Sequence, residues 1–243
     1  TNLGERYSLE AVIHDDDSQS ARDRSKLGDY GFAPNQGGNW FFPPDMQVQG
    51  RRVTELMVSI PSSYRRHSMD DPKRVAGKSV FEQSLQRKLL ELDAGLVVLD
   101  GLLVILDELV RLGSPFYNKI VNIHPGITRL DSPYERRGAC ATLDALYGAR
   151  GQKILNWQTM EARSVSPLLK TGASFHYVDD GIDSGEVITD VLNTDIEPED
   201  TILELRWNNF QRSLFPALIQ GLKMLAQCDT ARTDAATTGK VAM

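Results

Sequence analysis

Residues 120–126 read IVNIHPG, and this stretch decides the predicted fold. Its β-branched apolar start predicts a buried strand, and the Pro-Gly pair after it ends the strand in a turn. Residues 96–99 (LVVL) form a second continuous apolar run, of the kind that a strand buried on both faces needs. Residues 53–60 (VTELMVSI) predict a strand further upstream. Residues 53–123 therefore alternate strand and helix, which predicts a parallel sheet with crossover helices.

Capping boxes and apolar spacing predict the helices. Residues 79–82 (SVFE) form a capping box, and apolar residues at helical spacing continue on one face to Leu92. Residues 201–204 (TILE) form a second capping box, which predicts a long helix to about Leu225, kinked at Pro216 because proline has no amide proton. Further helices are predicted over residues 102–112 and 135–147.

The rest of the chain is predicted as short strands and loops. Further strands are predicted over residues 9–13, 173–178 and 186–190. Residues 18–50 are rich in Gly, Pro, Asn, Asp and Ser, which predicts a loop with one helix near residues 20–27. Residues 61–78 are polar and basic and are predicted as a mobile segment. We expect one domain over residues 1–228 and a disordered tail over residues 229–243.

The composition limits the class of protein. Of 243 residues, 33 are acidic and 27 are basic, so the net charge is −6. Such a balance argues against a nucleic-acid or anionic-membrane partner, whose binding needs clustered Lys and Arg. Two cysteines exclude a disulfide framework and fit a reducing compartment. We expect a cytoplasmic protein, because no apolar run is long enough to cross a membrane and the first residues do not resemble a signal peptide.

Asn122 and His124 are the first candidates for chemistry. They lie two residues apart at the end of a predicted strand, so their side chains share one face. Ligands of parallel sheets bind beyond the carboxyl ends of the strands. There the amide can donate a hydrogen bond to a developing oxyanion, and the imidazole can donate another or carry a proton. The alternative is that both side chains only bond to the local backbone.

Asp183 is the third candidate, in the turn formed by residues 179–185 (DDGIDSG). The glycines allow a tight loop, and a carboxylate held near an imidazole can tune the histidine or accept a proton. The alternative is a solvated hairpin turn, in which Asp and Gly are ordinary. A metal site of His124, His176 and Asp183 is disfavoured, because these histidines show none of the short spacings of metal-binding pairs. His176 is predicted as a packed strand residue.

Charged residues near the predicted strand ends are candidates for substrate binding. Asp15 and Asp17 belong to an acidic triplet that could hold an ammonium group. Arg129 and the pair at residues 136–137 follow the Asn–His pair, and a guanidinium suits a carboxylate. Solvated surface charge is the alternative in both cases.

Three segments resemble the formyltetrahydrofolate-dependent formyltransferases. Residues 122–125 (NIHP) resemble the family's Asn-x-His-Pro signature. Residues 99–106 (LDGLLVIL) resemble the strand-to-helix segment that receives the folate pterin, and residues 176–185 (HYVDDGIDSG) resemble the His-x-Val…Asp-x-Gly loop that closes the site. The motifs stand in family order, and the resemblance extends over residues 80–195.

The resemblance implies a fold, a co-substrate and roles for individual residues. The implied fold is α/β, with an open, mainly parallel, doubly wound (Rossmann-like) sheet in a formyltransferase catalytic domain. The implied co-substrate is 10-formyltetrahydrofolate, and no metal is required. Asn122, His124 and Asp183 match the family's catalytic residues. The positions that match its folate-binding residues are Leu103, Val104, Ile105, Leu106, Asp179, Asp180, Gly181 and Ile182.

Within the family, residues 122–129 (NIHPGITR) and 138–142 (GACAT) are most similar to the hydroxyornithine transformylases of pyoverdine siderophore synthesis. The implied reaction is formyl transfer to the side-chain hydroxylamine nitrogen of delta-N-hydroxyornithine, a small-molecule acceptor. The chain departs from the purine enzymes in that nothing before Leu9 supplies their central strand and Gly-rich phosphate loop. Whether that strand is missing upstream or is replaced by another segment stays open. A formyltransferase for glycinamide ribonucleotide or an amino sugar, a formyltetrahydrofolate hydrolase and a non-catalytic folate-binding module are alternatives. The oligomeric state stays open.

Overall fold

The structure is a computed structural model that describes residues 3–17, 19–20 and 46–238, with side chains to residue 227. The chain divides into two compact units, Asn2–Gly95 and Leu96–Met243. The helix predicted near residues 20–27 and most of the loop predicted over residues 18–50 lie outside the described residues. The single domain over residues 1–228 stays a prediction.

The first unit contains short elements and one long helix. In chain order they are a 3-10 helix (Leu3–Glu5), β1 (Val12–His14), β2 (Gln47–Val48), β3 (Arg51–Arg52), α1 (Val53–Leu56), β4 (Met57–Ser59), a 3-10 helix (Ser63–Arg66) and α2 (Pro72–Glu91). Strands β1 and β4 pair in parallel, and β2 and β3 form an antiparallel ribbon. The strand predicted over residues 9–13 is found, shifted towards its C-terminal end.

The prediction of a strand over residues 53–60 is wrong for the first half of this segment. Val53–Leu56 forms a helical turn, and only Met57–Ser59 is extended. Val53 and Leu56 are both buried, and a spacing of three residues places their side chains on one face of a helical turn. Burial of this pair overrides the strand propensity of the sequence.

Helix α2 begins before the capping box predicted at residues 79–82, so that prediction is wrong. Asp71 is the N-cap, and its Oδ1 accepts a hydrogen bond from the backbone N–H of Lys73 at 2.8 Å. Pro72 occupies the first helical position, where a missing N–H costs no hydrogen bond. Ser79 therefore lies inside the helix. The segment predicted to be mobile, residues 61–78, contains a 3-10 helix and the first turns of α2.

The second unit is a four-stranded sheet with flanking helices and a separate hairpin. Its elements are β5 (Val97–Asp100), β6 (Ile120–His124), α3 (Ala141–Ala149), β7 (Gln152–Asn156), β8 (Glu161–Ser164), β9 (Lys170–Tyr177), β10 (Val187–Asp195), α4 (Ile202–Asn209), a π-helical turn (Phe210–Leu214) and α5 (Phe215–Thr238). The sheet order is β10-β9-β6-β5. Strands β5 and β6 are parallel, whereas β9 runs antiparallel to both β6 and β10. Strand β6 is thus hydrogen-bonded on both edges.

The C-terminal helices cover one face of this sheet. The buried cluster between them consists of Val121, Ile123, Ala173, Phe175, Leu214 and Ala217. Gly221 of α5 lies so close to the sheet that an added Cβ would stand 2.0 Å from Cδ1 of Phe175. Because side chains alternate along a strand, Asn122 and His124 belong to the other face.

Residues 102–112 do not form the predicted helix. The chain leaves β5 at Gly101, whose φ is +68°, and continues through extended and turn conformations. Leu106 is fully buried, while Leu103 and Ile105 are 41% and 42% exposed. The apolar side chains alternate between core and surface, which a single helical face does not allow, and tertiary packing decides the conformation.

The other predicted elements are found with shifted limits. The helix predicted over residues 135–147 begins later, at Ala141–Ala149, because the preceding residues form a loop. The strands predicted over residues 173–178 and 186–190 are the longer strands β9 and β10. The β7–β8 hairpin was not predicted, since neither strand carries a clear apolar pattern.

The long C-terminal helix starts at the predicted capping box. Thr201 Oγ1 accepts from the backbone N–H of Glu204 at 3.2 Å, and Glu204 Oε2 accepts from the backbone N–H of Thr201 at 2.8 Å. The π-helical turn Phe210–Leu214 precedes Pro216, which cannot donate a helix hydrogen bond. Helical backbone continues to Thr238, and residues 239–243 lie outside the described residues. The disordered tail stays a prediction.

None of the helices in the described part of the chain combines the length and the hydropathy that a membrane span needs.

Candidate active site

Strand β6 places Asn122 and His124 at its carboxyl end. Hydrogen bonding to β5 on one edge and to β9 on the other holds the backbone of both residues firmly. In the antiparallel register, Asn122 stands opposite His176 and His124 stands opposite Ser174. The sheet therefore brings a second imidazole beside Asn122.

The loop between β9 and β10 carries Asp183 to this strand end. Gly185 is required for the turn, because a Cβ there would stand 1.9 Å from the carbonyl oxygen of Tyr177. Gly181 leaves room for the hydroxyl of Ser184 in the same way. Asp183 itself has a φ of +48°, in the left-handed region that residues with side chains rarely adopt. Such backbone strain is concentrated at functional sites.

The Asp183 carboxylate contacts every candidate catalytic side chain. Its Oδ2 lies 3.3 Å from His124 Nδ1 and accepts from the backbone N–H of Gly138 at 2.7 Å. Its Oδ1 accepts from Asn122 Nδ2 at 3.2 Å and lies 3.6 Å from His176 Nε2. The structure thus brings the three predicted residues into direct contact. Within the described residues, no three His, Cys, Asp or Glu side chains are grouped so that they could hold a metal ion.

A loop after β6 fixes the orientation of His124. The Nε2 of His124 lies 2.9 Å from the carbonyl oxygen of Arg136, which can accept a hydrogen bond from the ring N–H. Gly126 makes this approach possible, because a Cβ there would stand 2.5 Å from the same oxygen. Arg137 secures the loop by donating to the carbonyl oxygen of Thr128 from Nε at 2.9 Å. Both ring nitrogens of His124 are therefore held by acceptors.

Burial and hydrogen bonding act in opposite directions on the charges of this cluster. Burial raises the pKa of Asp183, but the contact with His176, the charge of His124 and the N–H of Gly138 outweigh it, and the pKa falls to about 2. Burial lowers the pKa of His124, and Asp183 and the carbonyl oxygen of Arg136 oppose that shift. The site holds an ionised carboxylate beside an imidazole that can gain or lose a proton.

His176 is a site residue that the sequence assigned only to packing. It is 2% exposed, its Nδ1 lies 2.7 Å from the carbonyl oxygen of Tyr177, and its Nε2 lies 3.3 Å from Asn122 Nδ2. The signal for it was its place in the motif that ends at Asp183. Its contact with Asn122 depends on the β6–β9 register, which a single sequence does not reveal.

The positions matched to folate binding lie on two loops of the same unit. Leu103 and Ile105 follow the carboxyl end of β5, the parallel neighbour of β6, and both expose apolar side chains. Asp179 accepts from the backbone N–H of Gly181 at 3.1 Å and so stabilises its own loop. Ile182, in that loop, is 58% exposed. Both loops offer apolar surface.

The acidic residues predicted to bind an ammonium group belong to the first unit. Asp15 accepts from Ser62 Oγ at 2.6 Å and lies 3.3 Å from an Arg65 guanidinium nitrogen. Asp17 is buried and lies 2.8 Å from Arg66 Nε. Arginines of the same unit thus balance the charge of both carboxylates.

Arg129, predicted to bind a carboxylate, forms an ion pair within the second unit. Its Nε contacts Asp190 of β10, which also accepts from Ser174 Oγ at 2.5 Å. The Arg129 side chain is 47% exposed. The structure therefore gives this guanidinium a protein carboxylate as its partner.

Residues 44–218 match the family described as formyl transferase. Because the match extends over more than half of the chain, the chain belongs to this family, and the predicted family is confirmed.

Two solved structures of formyltransferases are similar to this chain. The structure of PvdF of pyoverdin biosynthesis, described as a structurally unique N10-formyltetrahydrofolate-dependent formyltransferase, is 62% identical with a TM-score of 0.84. The match covers 93% of this chain and 84% of that chain. A phosphoribosylglycinamide formyltransferase from Anaplasma phagocytophilum is 20% identical with a TM-score of 0.52, covers 90% of this chain and 75% of that one, and supports the fold alone. The predicted α/β fold class is confirmed. The four-stranded sheet is mixed rather than mainly parallel, because its β5–β6 pair is parallel and its β6–β9 and β9–β10 pairs are antiparallel.

A curated relative is more distant. Phosphoribosylglycinamide formyltransferase of Bacillus subtilis (strain 168) is 26% identical over 156 residues, which are 63% of this chain and 66% of that protein. The chain therefore spans just under two thirds of the length of this relative.

Proposed function

We propose that this chain transfers the formyl group of 10-formyltetrahydrofolate to the side-chain hydroxylamine nitrogen of delta-N-hydroxyornithine in pyoverdine siderophore biosynthesis. The observation that carries the proposal is the 62% identity to PvdF over 93% of the chain. The contacts that Asp183 makes with Asn122 and His124 support catalysis rather than binding alone. A buried acid–imidazole–amide cluster is costly to assemble and is not needed to bind a folate.

The reaction joins the acceptor nitrogen to the formyl carbon. A C–N bond forms, and the formyl oxygen carries negative charge until the bond to the folate nitrogen breaks. The acceptor nitrogen loses one proton and the folate nitrogen gains one, so the products are N-formylated hydroxyornithine and tetrahydrofolate. A hydroxylamine is less basic than an alkylamine, so more of it is neutral and nucleophilic at neutral pH.

Asn122 and His124 are the proposed donors to the developing oxyanion. In the free protein both side chains face protein acceptors, so the oxyanion has to replace part of these contacts. A preorganised donor of this kind is worth about 10²–10³ in rate. In the free protein, Asn122 Nδ2 faces both Asp183 Oδ1 and His176 Nε2. Its orientation is therefore set before the substrate arrives, and the bound formyl oxygen takes a share of these hydrogen bonds.

Asp183 stabilises the charged form of His124. It is not the final acceptor of the proton that leaves the acceptor nitrogen. A carboxyl group with a pKa of about 2 stays ionised and holds a proton weakly at neutral pH. Its Oδ2 instead stabilises positive charge on the His124 ring at 3.3 Å. The proton of the acceptor nitrogen leaves through His124 or through solvent.

We assign folate binding to the two loops that carry the positions matched to the family's folate-binding residues. Leu103 and Ile105 provide apolar surface, and the backbone of residues 103–106 is not helical. This combination fits a flat heterocycle with hydrogen-bonding edges. The loop over residues 179–182 (Asp179, Asp180, Gly181 and Ile182) completes the assignment.

Arg129, Asp15 and Asp17 stay the proposed partners of the substrate's charged groups. Each already has an ion-pair partner, so the substrate would have to compete with it. Replacing each by alanine should raise KM for hydroxyornithine and leave KM for the folate unchanged. An unchanged hydroxyornithine KM removes that residue from the assignment.

The proposal also covers location and partners. We place the enzyme in the cytoplasm with a small-molecule substrate, and the net charge of −6 argues against a nucleic-acid or anionic-membrane partner. Binding of the protein to anionic vesicles or to RNA at physiological salt would count against this part of the proposal.

The test is a panel of acceptors with 10-formyltetrahydrofolate, followed through the absorbance of the folate product. Hydroxyornithine, ornithine, glycinamide ribonucleotide, an amino sugar and a reaction without acceptor run in parallel, with the Asn122→Ala variant as control. Turnover with hydroxyornithine alone, lost in the variant, supports the proposal. Turnover with another amine points to a different formyltransferase, and formate release without acceptor points to a hydrolase.

A further inference from the structure

We propose that His176 is a positioning residue for formyl transfer, which holds the Asn122 amide and the Asp183 carboxylate in one fixed arrangement. The role in catalysis rests on the proposed function. The hydrogen-bonding state of the His176 ring, from which the role follows, can be measured without any turnover.

The ring has one defined acceptor atom. His176 Nδ1 lies 2.7 Å from the carbonyl oxygen of Tyr177, and a carbonyl oxygen can only accept, so Nδ1 carries the proton. Nε2 faces Asn122 Nδ2 at 3.3 Å and Asp183 Oδ1 at 3.6 Å, and we assign it as the acceptor of one proton of the nearer amide nitrogen.

This acceptor decides which way the Asn122 amide points. Nδ2 donates one proton to Asp183 Oδ1 at 3.2 Å and the other to His176 Nε2. A flipped amide would turn its carbonyl oxygen towards a carboxylate and a lone pair, which repel it. His176 and Asp183 together therefore select one orientation and aim the amide before substrate binds.

Packing makes the ring a rigid support. His176 lies on β9 between β6 and β10, opposite Asn122 on one side and Val187 on the other. Its side chain is 2% exposed, so it has little room to change rotamer. A catalytic donor stays in place to within a fraction of an ångström only if its acceptor is rigid.

The first test compares two variants of His176 by steady-state kinetics. His176→Phe removes both ring nitrogens, whereas His176→Gln keeps a polar group that can accept from Asn122. We expect His176→Phe to lower kcat about 10- to 100-fold with KM for both substrates within about threefold. His176→Gln should recover part of the loss. An unchanged kcat in His176→Phe overturns the proposal.

A control separates positioning from loss of stability. Thr194 is also buried on this sheet and hydrogen-bonds to Asn209 Oδ1 at 2.9 Å, with no part in the site. Thr194→Val should lower Tm without lowering kcat. If both variants lose activity in proportion to Tm, His176 has only a structural role.

A double-mutant cycle tests whether His176 acts through Asn122. In the Asn122→Ala background, His176→Phe should lower the residual kcat by less than about threefold, because the group that it positions is gone. An equal loss in both backgrounds means that His176 acts independently of Asn122, which contradicts the proposal.

The ring state is measured on the wild-type protein by ¹⁵N NMR of labelled histidine. We expect a protonated Nδ1 and an unprotonated Nε2 at neutral pH. A protonated Nε2 overturns the proposal whether or not the protein is active, and it decides the case if the variants fail to fold. Absence of turnover with every acceptor, with the expected ring state, would contradict the proposed function and leave the geometry of His176 intact.

Discussion

Asp183 shows how single residues set the charge of the site. A loop conformation with a φ of +48° brings its carboxylate between His124 and Asn122. The donors around it lower its pKa to about 2 despite partial burial. A carboxyl group whose pKa is lower in the folded than in the unfolded chain stabilises the fold wherever it is ionised in both states.

The Asp183→Asn variant should lose part of the acid sensitivity of stability. The stabilisation by Asp183 is complete above its ordinary pKa of 3.8 and disappears as the pH falls towards about 2. From about pH 4 to about pH 3, the free energy of unfolding of the wild type should drop by about 1 kcal/mol more than that of the variant. Urea unfolding at both pH values measures the difference. Parallel slopes would mean that the pKa of Asp183 is not lowered in the folded protein.

Gly126 should be intolerant of any side chain. A Cβ there would stand 2.5 Å from the carbonyl oxygen of Arg136 that holds His124. Relief of this clash would require a shift of the backbone rather than of a flexible side chain. We expect Gly126→Ala to cost about 1–3 kcal/mol of stability and to lower kcat. Gly95→Ala is the matched control, because a Cβ there meets nothing within 4 Å. Equal effects of the two substitutions on Tm and kcat would contradict the role of Gly126.

The sequence predicts part of this site at the residue scale. The spacing of Asn122 and His124 on one strand, with the motif around Asp183, identifies the three residues that the structure brings into contact. It does not identify His176 or the Arg136 carbonyl. Those contacts come from strand register and from the path of a loop, which are not encoded in local spacing.

At the scale of elements, the start of helix α2 differs from its prediction. The capping box at residues 79–82 predicts a start at Ser79. In the structure Asp71 accepts from the backbone N–H of Lys73, and Ser79 lies inside the helix.

Asp71→Ala and Ser79→Ala should therefore differ in stability. Loss of a true N-cap costs about 0.5–2 kcal/mol, whereas a substitution inside the helix should stay within about 0.5 kcal/mol. Chemical denaturation of both variants measures the free energies of unfolding. The reverse order would place the start of the helix at Ser79.

The predicted elements succeed where local signals and tertiary packing agree. Strand β5 follows from a continuous apolar run, and β6 follows from its β-branched start before the Pro-Gly turn. Helix α4 starts at its predicted capping box. The helix prediction for residues 102–112 is wrong because an apolar segment without a cap fits a helix and irregular structure equally well. In the structure Leu106 is buried and Ile105 is exposed, and this alternation favours irregular structure. Tertiary contacts decide such segments.

At the scale of the whole molecule, the helix-on-sheet packing of the second unit holds the strand that carries the site. Gly221 of α5 lies against Phe175, which is fully buried in that core. Gly221→Ala should destabilise the protein by about 1–3 kcal/mol, although alanine favours a helix. Gln220→Ala, at the exposed neighbouring position, should be neutral or stabilising. Thermal unfolding compares the two, and a stabilised Gly221→Ala would contradict the close packing.

The most direct test of the proposed function is to follow a ¹³C-labelled formyl group from 10-formyltetrahydrofolate by NMR, with hydroxyornithine present. We expect the wild type to move the label to the hydroxylamine nitrogen of hydroxyornithine. We expect a rate about 10²–10³ lower in Asn122→Ala, since one oxyanion donor is lost. Label that appears only as formate, or transfer at the same rate in the variant, would contradict the proposed function.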